Sequence, residues 1–81
     1  MKKIVFTTQA QADVRRLDQP MAMRIFEALK RFAQTGVGDA KALQGKSTEY
    51  RLRIGDYRIR YMEEADKLVI KRVLHRSDAY R

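Results

Sequence analysis

Residues 50–61 read YRLRIGDYRIRY, and this stretch constrains the chain more than any other. Strict alternation from Tyr50 to Ile54 places Tyr50, Leu52 and Ile54 on one face of a strand and Arg51 and Arg53 on the other. Gly55-Asp56 is a two-residue hairpin turn, with glycine where a positive φ is needed. The alternation then resumes with Tyr57, Ile59 and Tyr61 on the apolar face and Arg58 and Arg60 opposite. In that hairpin Ile54 pairs with Tyr57, Arg53 with Arg58 and Arg51 with Arg60. Like charges directly across a ladder stand about 5 Å apart and destabilise it. A hairpin selected only for solubility would mix the signs, so four arginines on one face point to a surface that meets a polyanion. Solvated arginine stems on an ordinary exposed face are the plainer alternative.

The remainder of the chain must cover the apolar face of this hairpin. Residues 3–7 (KIVFT) are a first strand, and Thr8 with Gln11 has the pattern of a helix N-cap and capping box. Ala10, Val14 and Leu17 make an apolar stripe on a helix of about 10 residues. Asp18-Gln19-Pro20 ends it and starts a second helix, whose stripe is Met21, Ile25, Ala28, Leu29 and Phe32 and whose stop is Gly36 and Gly38. The two helices form a helical hairpin. Residues 37–47 are turn-rich, with Leu43 as sole apolar anchor, and are expected to be a loop.

Past the arginine hairpin, residues 63–66 (EEAD) are expected to be a four-residue turn and residues 67–74 (KLVIKRVL) the third strand of a meander. That turn pairs Tyr61 with Leu68, Ile59 with Ile70 and Arg58 with Lys71. It puts Lys71 on the arginine face, with Val73 and His75 sharing its parity; a slip of one residue would invert this. The expected architecture is one α+β domain over residues 1–81, in two layers. An N-terminal strand, a helical hairpin and an antiparallel three-strand meander follow in order, with helices on one sheet face and a basic, open second face. The first strand is expected beside the last, in either direction.

Lys and Arg number 18 against 10 Asp and Glu, a formal charge of +8, which points to nucleic acid, an anionic surface or an acidic protein partner. The chain has no cysteine and one histidine, so neither a disulfide framework nor a thiolate or multi-histidine metal site can form, and a cytosolic setting suits it. No apolar run has the length of a signal-peptide core or a membrane span, and the expectation is a soluble, unprocessed protein.

Arg51, Arg53, Arg58, Arg60, Lys71, His75, Arg76 and Tyr80 are expected on or near the open face. They lack a carboxylate pair, a glycine-rich phosphate loop and metal-ligand spacing. They do suit metal-free cleavage of RNA by its own 2′-hydroxyl, which needs a base at that oxygen, cations around the phosphorane and an acid for the leaving 5′ oxygen. Arginine serves the second role, since its fork matches phosphate oxygens and stays charged. It is a poor base for the same reason. His75 is the only side chain whose ordinary titration lies near neutrality, and Tyr80 can stack on a base, orient the 2′-hydroxyl or take a proton.

With these residues placed, the sequence resembles the toxins of the RelE/ParE superfamily of bacterial type II toxin–antitoxin systems. The resemblance runs along essentially the whole chain and is carried by LRIGDYRIRY and the closing VLHRSDAYR. It implies a RelE-type ribosome-dependent endoribonuclease that cuts messenger RNA in the ribosomal A site, without cofactor or metal. Arg51, Arg53, Arg58, His75, Arg76 and Tyr80 are the implied catalytic set, with Arg60 and Lys71 binding RNA. Well-studied RelE enzymes carry lysine where Arg51 and Arg53 stand. The arginines keep the charge and lose that base, which moves proton transfer to His75 or Tyr80. The implied partners are a cognate antitoxin, in a hetero-oligomer, and the ribosome with its message, in the cytoplasm and away from membranes. A ParE-type inhibitor of DNA gyrase, or an inactive antitoxin-binding relative, is the alternative.

Overall fold

The fold is organised by five strands, and the computed structural model describes residues 2–42 and 49–79. In chain order the elements are β1 (Lys3–Phe6), α1 (Thr8–Arg15), α2 (Gln19–Thr35), β2 (Asp39–Ala42), β3 (Glu49–Ile54), β4 (Tyr57–Glu64), β5 (Lys67–His75) and the short α3 (Arg76–Ala79). The sheet order is β1-β5-β4-β3-β2. All neighbours are antiparallel except β1 and β5, which run parallel, with Lys3 beside Lys67 and Phe6 beside Ile70.

The β3–β4 hairpin has the register that the alternation predicts, from Tyr50 opposite Tyr61 to Ile54 opposite Tyr57. Gly55 takes φ +57°, the left-handed conformation that costs glycine nothing in sterics. One face of the sheet supplies Leu52, Ile59, Tyr61, Leu68, Ile70 and Val73 to the core, against Ala10 from α1 and Ile25 and Leu29 from α2. These side chains are essentially removed from solvent. Tyr61 stacks on Tyr50 at 5.5 Å and meets Phe32 edge-on at 5.6 Å, and burial, with help from Glu63 and Tyr50, pushes its phenol up to about 12. The α2 helix ends at Gly36, whose φ of +74° lets its N–H reach Phe32 O at 2.8 Å.

Four expectations are corrected. Residues 39–42, expected in a loop, are β2, an edge strand whose Ala40 lies opposite Leu52; Leu43 falls outside the described residues. The N-cap of α1 is Thr7 and not Thr8: its hydroxyl accepts the Ala10 N–H at 3.1 Å. The β4–β5 turn is two residues, Ala65-Asp66, with Ala65 at φ +50°, so Glu63 lies opposite Leu68 and Glu64 opposite Lys67. The strand pair also contains a bulge: Tyr61 lies opposite Ile70 but Arg60 opposite Arg72, leaving Lys71 as the extra residue. The bulge reverses the parity of all that follows. Val73, expected on the arginine face with Lys71 and His75, is instead 4 % exposed in the core.

Candidate nucleic-acid interface

The register turns the alternating arginines into rows. Lys41 on β2, Arg51 on β3, Arg60 on β4 and Arg72 on β5 are successive cross-strand partners, four cations in one line across four strands. Arg53 and Arg58 are partners in the next row, with Leu74 beyond Arg58. Strands are spaced about 4.8 Å apart, so the first row is a ladder of like charges on the face opposite the core. The second row sets one like-charge pair, Arg53 and Arg58, between Asp39, the register partner of Arg53, and Leu74. Lys71, the bulge residue, pairs with Glu49 at 2.8 Å.

Arg58 differs from its neighbours. It is only 6 % exposed, and its Nη1 donates to the carbonyls of Gly55 and Tyr57, both at 3.3 Å, so the guanidinium is folded over the hairpin turn. Its position is set by backbone acceptors and does not depend on a ligand.

The other end of the row is held by Asp13. This α1 carboxylate is 4 % exposed. It accepts Arg72 Nε at 2.9 Å, Arg72 Nη2 at 3.2 Å and the Val73 N–H at 2.9 Å. Burial alone raises the Asp13 carboxyl, but the hydrogen bonds from Arg72 and Val73, with the Arg72 charge, outweigh it and hold the group below its ordinary value. The same contact raises Arg72. Asp13 was hidden in the sequence because it lies within the apolar stripe of α1, between Ala10 and Val14. An acid in that phase of an amphipathic helix is the signal that would have marked it.

His75 and Arg76 lie where β5 passes into α3. The His75 ring meets Tyr57 edge-on at 5.3 Å. Its Nδ1 is 2.9 Å from Ser77 Oγ and 3.2 Å from the Ser77 backbone nitrogen. The backbone N–H can only donate, so Nδ1 accepts, and the neutral ring carries its proton on Nε2. The Arg76 N–H donates to Asp56 O at 2.7 Å, fastening the start of α3 to the hairpin turn, while the Arg76 side chain is exposed. A cleft of about 170 Å³ opens here, with Asp13, Arg16, Leu17, Tyr57, His75 and Asp78 in its wall.

The expected site residues therefore fall into two groups. Arg51, Arg53, Arg58 and Arg60 share one face through their register, and Lys71 stands beside Glu49. His75 has the opposite parity and turns to the cleft beside α1, at the end of the sheet where β4 begins and β5 ends. Arg76 follows it, and Tyr80 lies outside the described residues. Among the described residues no group of three or more His, Cys, Asp or Glu could hold a metal ion, and no helix is long and apolar enough to cross a membrane.

The profile of the family described as "ParE toxin of type II toxin-antitoxin system, parDE" matches residues 4–80. The chain is 40 % identical over 42 residues to Toxin RelE3 of Methanocaldococcus jannaschii, a match spanning 52 % of this chain and 48 % of that relative, about half the length of each. Among solved structures, the antitoxin–toxin complex RelB-RelE of Methanococcus jannaschii has a chain of TM-score 0.77 and 25 % identity, covering 94 % of both chains. The toxin–antitoxin complex RelBE2 of Mycobacterium tuberculosis gives 0.75 and 28 %, covering 91 % of this chain and 96 % of that one. With the profile matching nearly end to end and TM-scores of 0.77 and 0.75 to the two solved chains, the chain belongs to the RelE/ParE superfamily, the RelE-like toxins of type II toxin–antitoxin systems.

Proposed function

We propose that this toxin is a ribosome-dependent endoribonuclease that cuts translated messenger RNA in the A site by attack of the RNA's own 2′-hydroxyl, without a metal. The observation that carries the reading is the arginine ladder: Arg51 opposite Arg60 and Arg53 opposite Arg58 bring like charges together on the sheet face opposite the core. A phosphate backbone converts that repulsion into attraction.

In the proposed reaction a base takes the 2′-hydroxyl proton as the 2′ oxygen attacks the adjoining phosphorus. The P–O5′ bond then breaks, and an acid protonates the leaving 5′ oxygen, giving a cyclic phosphate and a 5′-hydroxyl. Arg58, held over the turn by two carbonyls, is preorganised for the phosphorane charge, and Arg51, Arg53 and Arg76 add to it. Arg60 and Lys71 bind the backbone on either side. His75 exchanges protons through Nε2, because Nδ1 is engaged by Ser77, and Tyr80 is the second proton carrier. A message crossing the end of the sheet passes from the arginine face to the cleft that holds His75.

The partner proposed for the resting state is a cognate antitoxin, since the solved relatives are antitoxin–toxin complexes. The +8 charge suits capture by an acidic segment that folds on binding. A second reading, inhibition of DNA gyrase, is favoured by the match to a profile named for ParE and by arginine at positions 51 and 53.

Induced expression in bacteria, followed by primer extension on a translated transcript and on the same transcript without its start codon, separates the readings. Cuts at codon spacing in the translated message alone are expected. Growth arrest with DNA-damage signalling and no cuts would replace the ribonuclease with the gyrase reading.

A further inference from the structure

The outer edge of β5 has two different neighbours. Up to Ile70 it is covered by β1, and the Thr7 N–H makes the last bond of that kind, to Ile70 O at 3.0 Å. Beyond this point α1 takes over with side chains. Thr7 Oγ1 donates to Lys71 O at 3.2 Å, and Asp13 accepts the Val73 N–H together with the Arg72 fork. These contacts bracket the bulge. Without the extra residue at Lys71, the alternation that buries Leu68 and Ile70 would bury Arg72 and Leu74 and turn Val73 and His75 to the arginine face. With it, Val73 is in the core and His75 lies against Tyr57. The burial of Val73 selects the phase, and the carboxylate fixes the backbone between Arg72 and His75 by a charge-assisted bond that no other described group makes.

We infer that Asp13 is a positioning residue: its carboxylate holds the bulge at Lys71–Arg72 and so sets the His75 ring in the cleft that both residues line. An amide at position 13 could still accept the Val73 N–H but would turn its NH₂ toward the Arg72 guanidinium and lose the fork. The effect on rate rests on the ribonuclease reading; the effect on His75 does not.

The test uses Asp13→Asn and Asp13→Ala, each alone and with His75→Gln, assayed on programmed ribosomes per mole of folded toxin, with NMR of the His75 ring nitrogens and the Ser77 amide. Loss of positioning is expected to lower kcat by about 10²-fold, the size of effect that a misplacement of about 1 Å produces. KM is expected to change by less than about twofold, since the hairpin arginines Arg51, Arg53, Arg58 and Arg60 are untouched and only Arg72 loses its partner. In the His75→Gln background the second substitution is expected to cost almost nothing, because its route to the reaction is gone. A merely structural Asp13 would instead give the same loss with or without His75, and that result overturns the inference. Unchanged His75 and Ser77 resonances in Asp13→Asn overturn it too, whether or not the toxin cuts RNA, and Asp13→Asn carries the test if Asp13→Ala fails to fold. Absence of cleavage by the native chain overturns the ribonuclease reading, and the resonances then decide the positioning role alone.

Discussion

Replacing Arg60 with glutamine should make the protein more stable and a worse ligand for RNA. Arg60 lies between Arg51 and Arg72 in the four-cation row. Guanidinium groups on adjacent strands about 7 Å apart repel by about 0.6 kcal/mol per pair in a water-like dielectric. Neither neighbour is without a partner of its own, Asp13 in the case of Arg72, so the two together amount to at most about 0.5–1 kcal/mol at low salt. Glutamine keeps most of the stem that covers the sheet and removes the charge. For a domain of this size the gain corresponds to a rise in Tm of about 3–6 °C. The assay is thermal unfolding of Arg60→Gln and wild type at about 20 mM and at 1 M salt, where the screening length drops to about 3 Å and the difference should vanish. Binding to a single-stranded RNA should weaken, with the slope of log K against log salt reduced by about 0.7. An equal or lower Tm at low salt would show that the row is not self-repulsive, and the main support for a polyanion-binding face would go with it.

Three further outcomes follow from local geometry. Ala65→Gly should raise stability by about 0.5–1 kcal/mol in denaturant unfolding, because Ala65 holds φ +50° and a left-handed residue with a Cβ costs about 1–2 kcal/mol, partly returned as glycine entropy. Gly38→Ala should destabilise by about 1–2 kcal/mol, since its Cβ would meet Phe32 Cδ1 at 2.9 Å and Leu52 Cδ1 at 3.0 Å in the core. The Asp13 carboxyl is depressed in the folded state, so its stabilisation is complete above the unfolded value of about 3.9 and is lost as pH falls through the folded one. The stability gap between wild type and Asp13→Asn should therefore close in acid; a gap that persists at the lowest pH would assign the effect to packing.

The hairpin was legible because alternation of period two over residues 50–61 has one solution: a single slip would expose every apolar side chain. The N- and C-terminal signals of α2, Pro20 and Gly36, likewise act within a few residues of where they stand. What escaped was settled by distant partners. The β2 strand is short and reads as a loop, and Ala40 is in a strand only because Leu52 and its neighbours offer an open edge. The bulge in β5 leaves an apolar pattern of 68, 70 and 73, a broken phase that was visible but depends on Asp13 and Thr7, some 60 residues earlier, for its hydrogen bonds. Arg58 could be placed on its face but not known to be buried, because its acceptors are carbonyls, which every residue has. The cationic face was thus readable strand by strand, while the orientation of His75 was not.

The parallel pairing of β1 with β5 fixes when this protein can exist. Thr7 bonds a carbonyl 64 residues further along the chain, and β1 has no other strand beside it in the sheet. The first strand made must therefore wait for the last, and non-local closure of this kind is a late event in folding. During synthesis β1 precedes its partner strand by some 60 residues, whereas β5 follows the cationic hairpin after a turn of two. A chain that stops before β5 carries 13 basic and 9 acidic residues, half of the full +8, and lacks the closed sheet, the cleft and the histidine. The topology makes the closed sheet and the cleft properties of a chain in which β1 and β5 have met, and leaves an interval in which the two strands are still searching for each other.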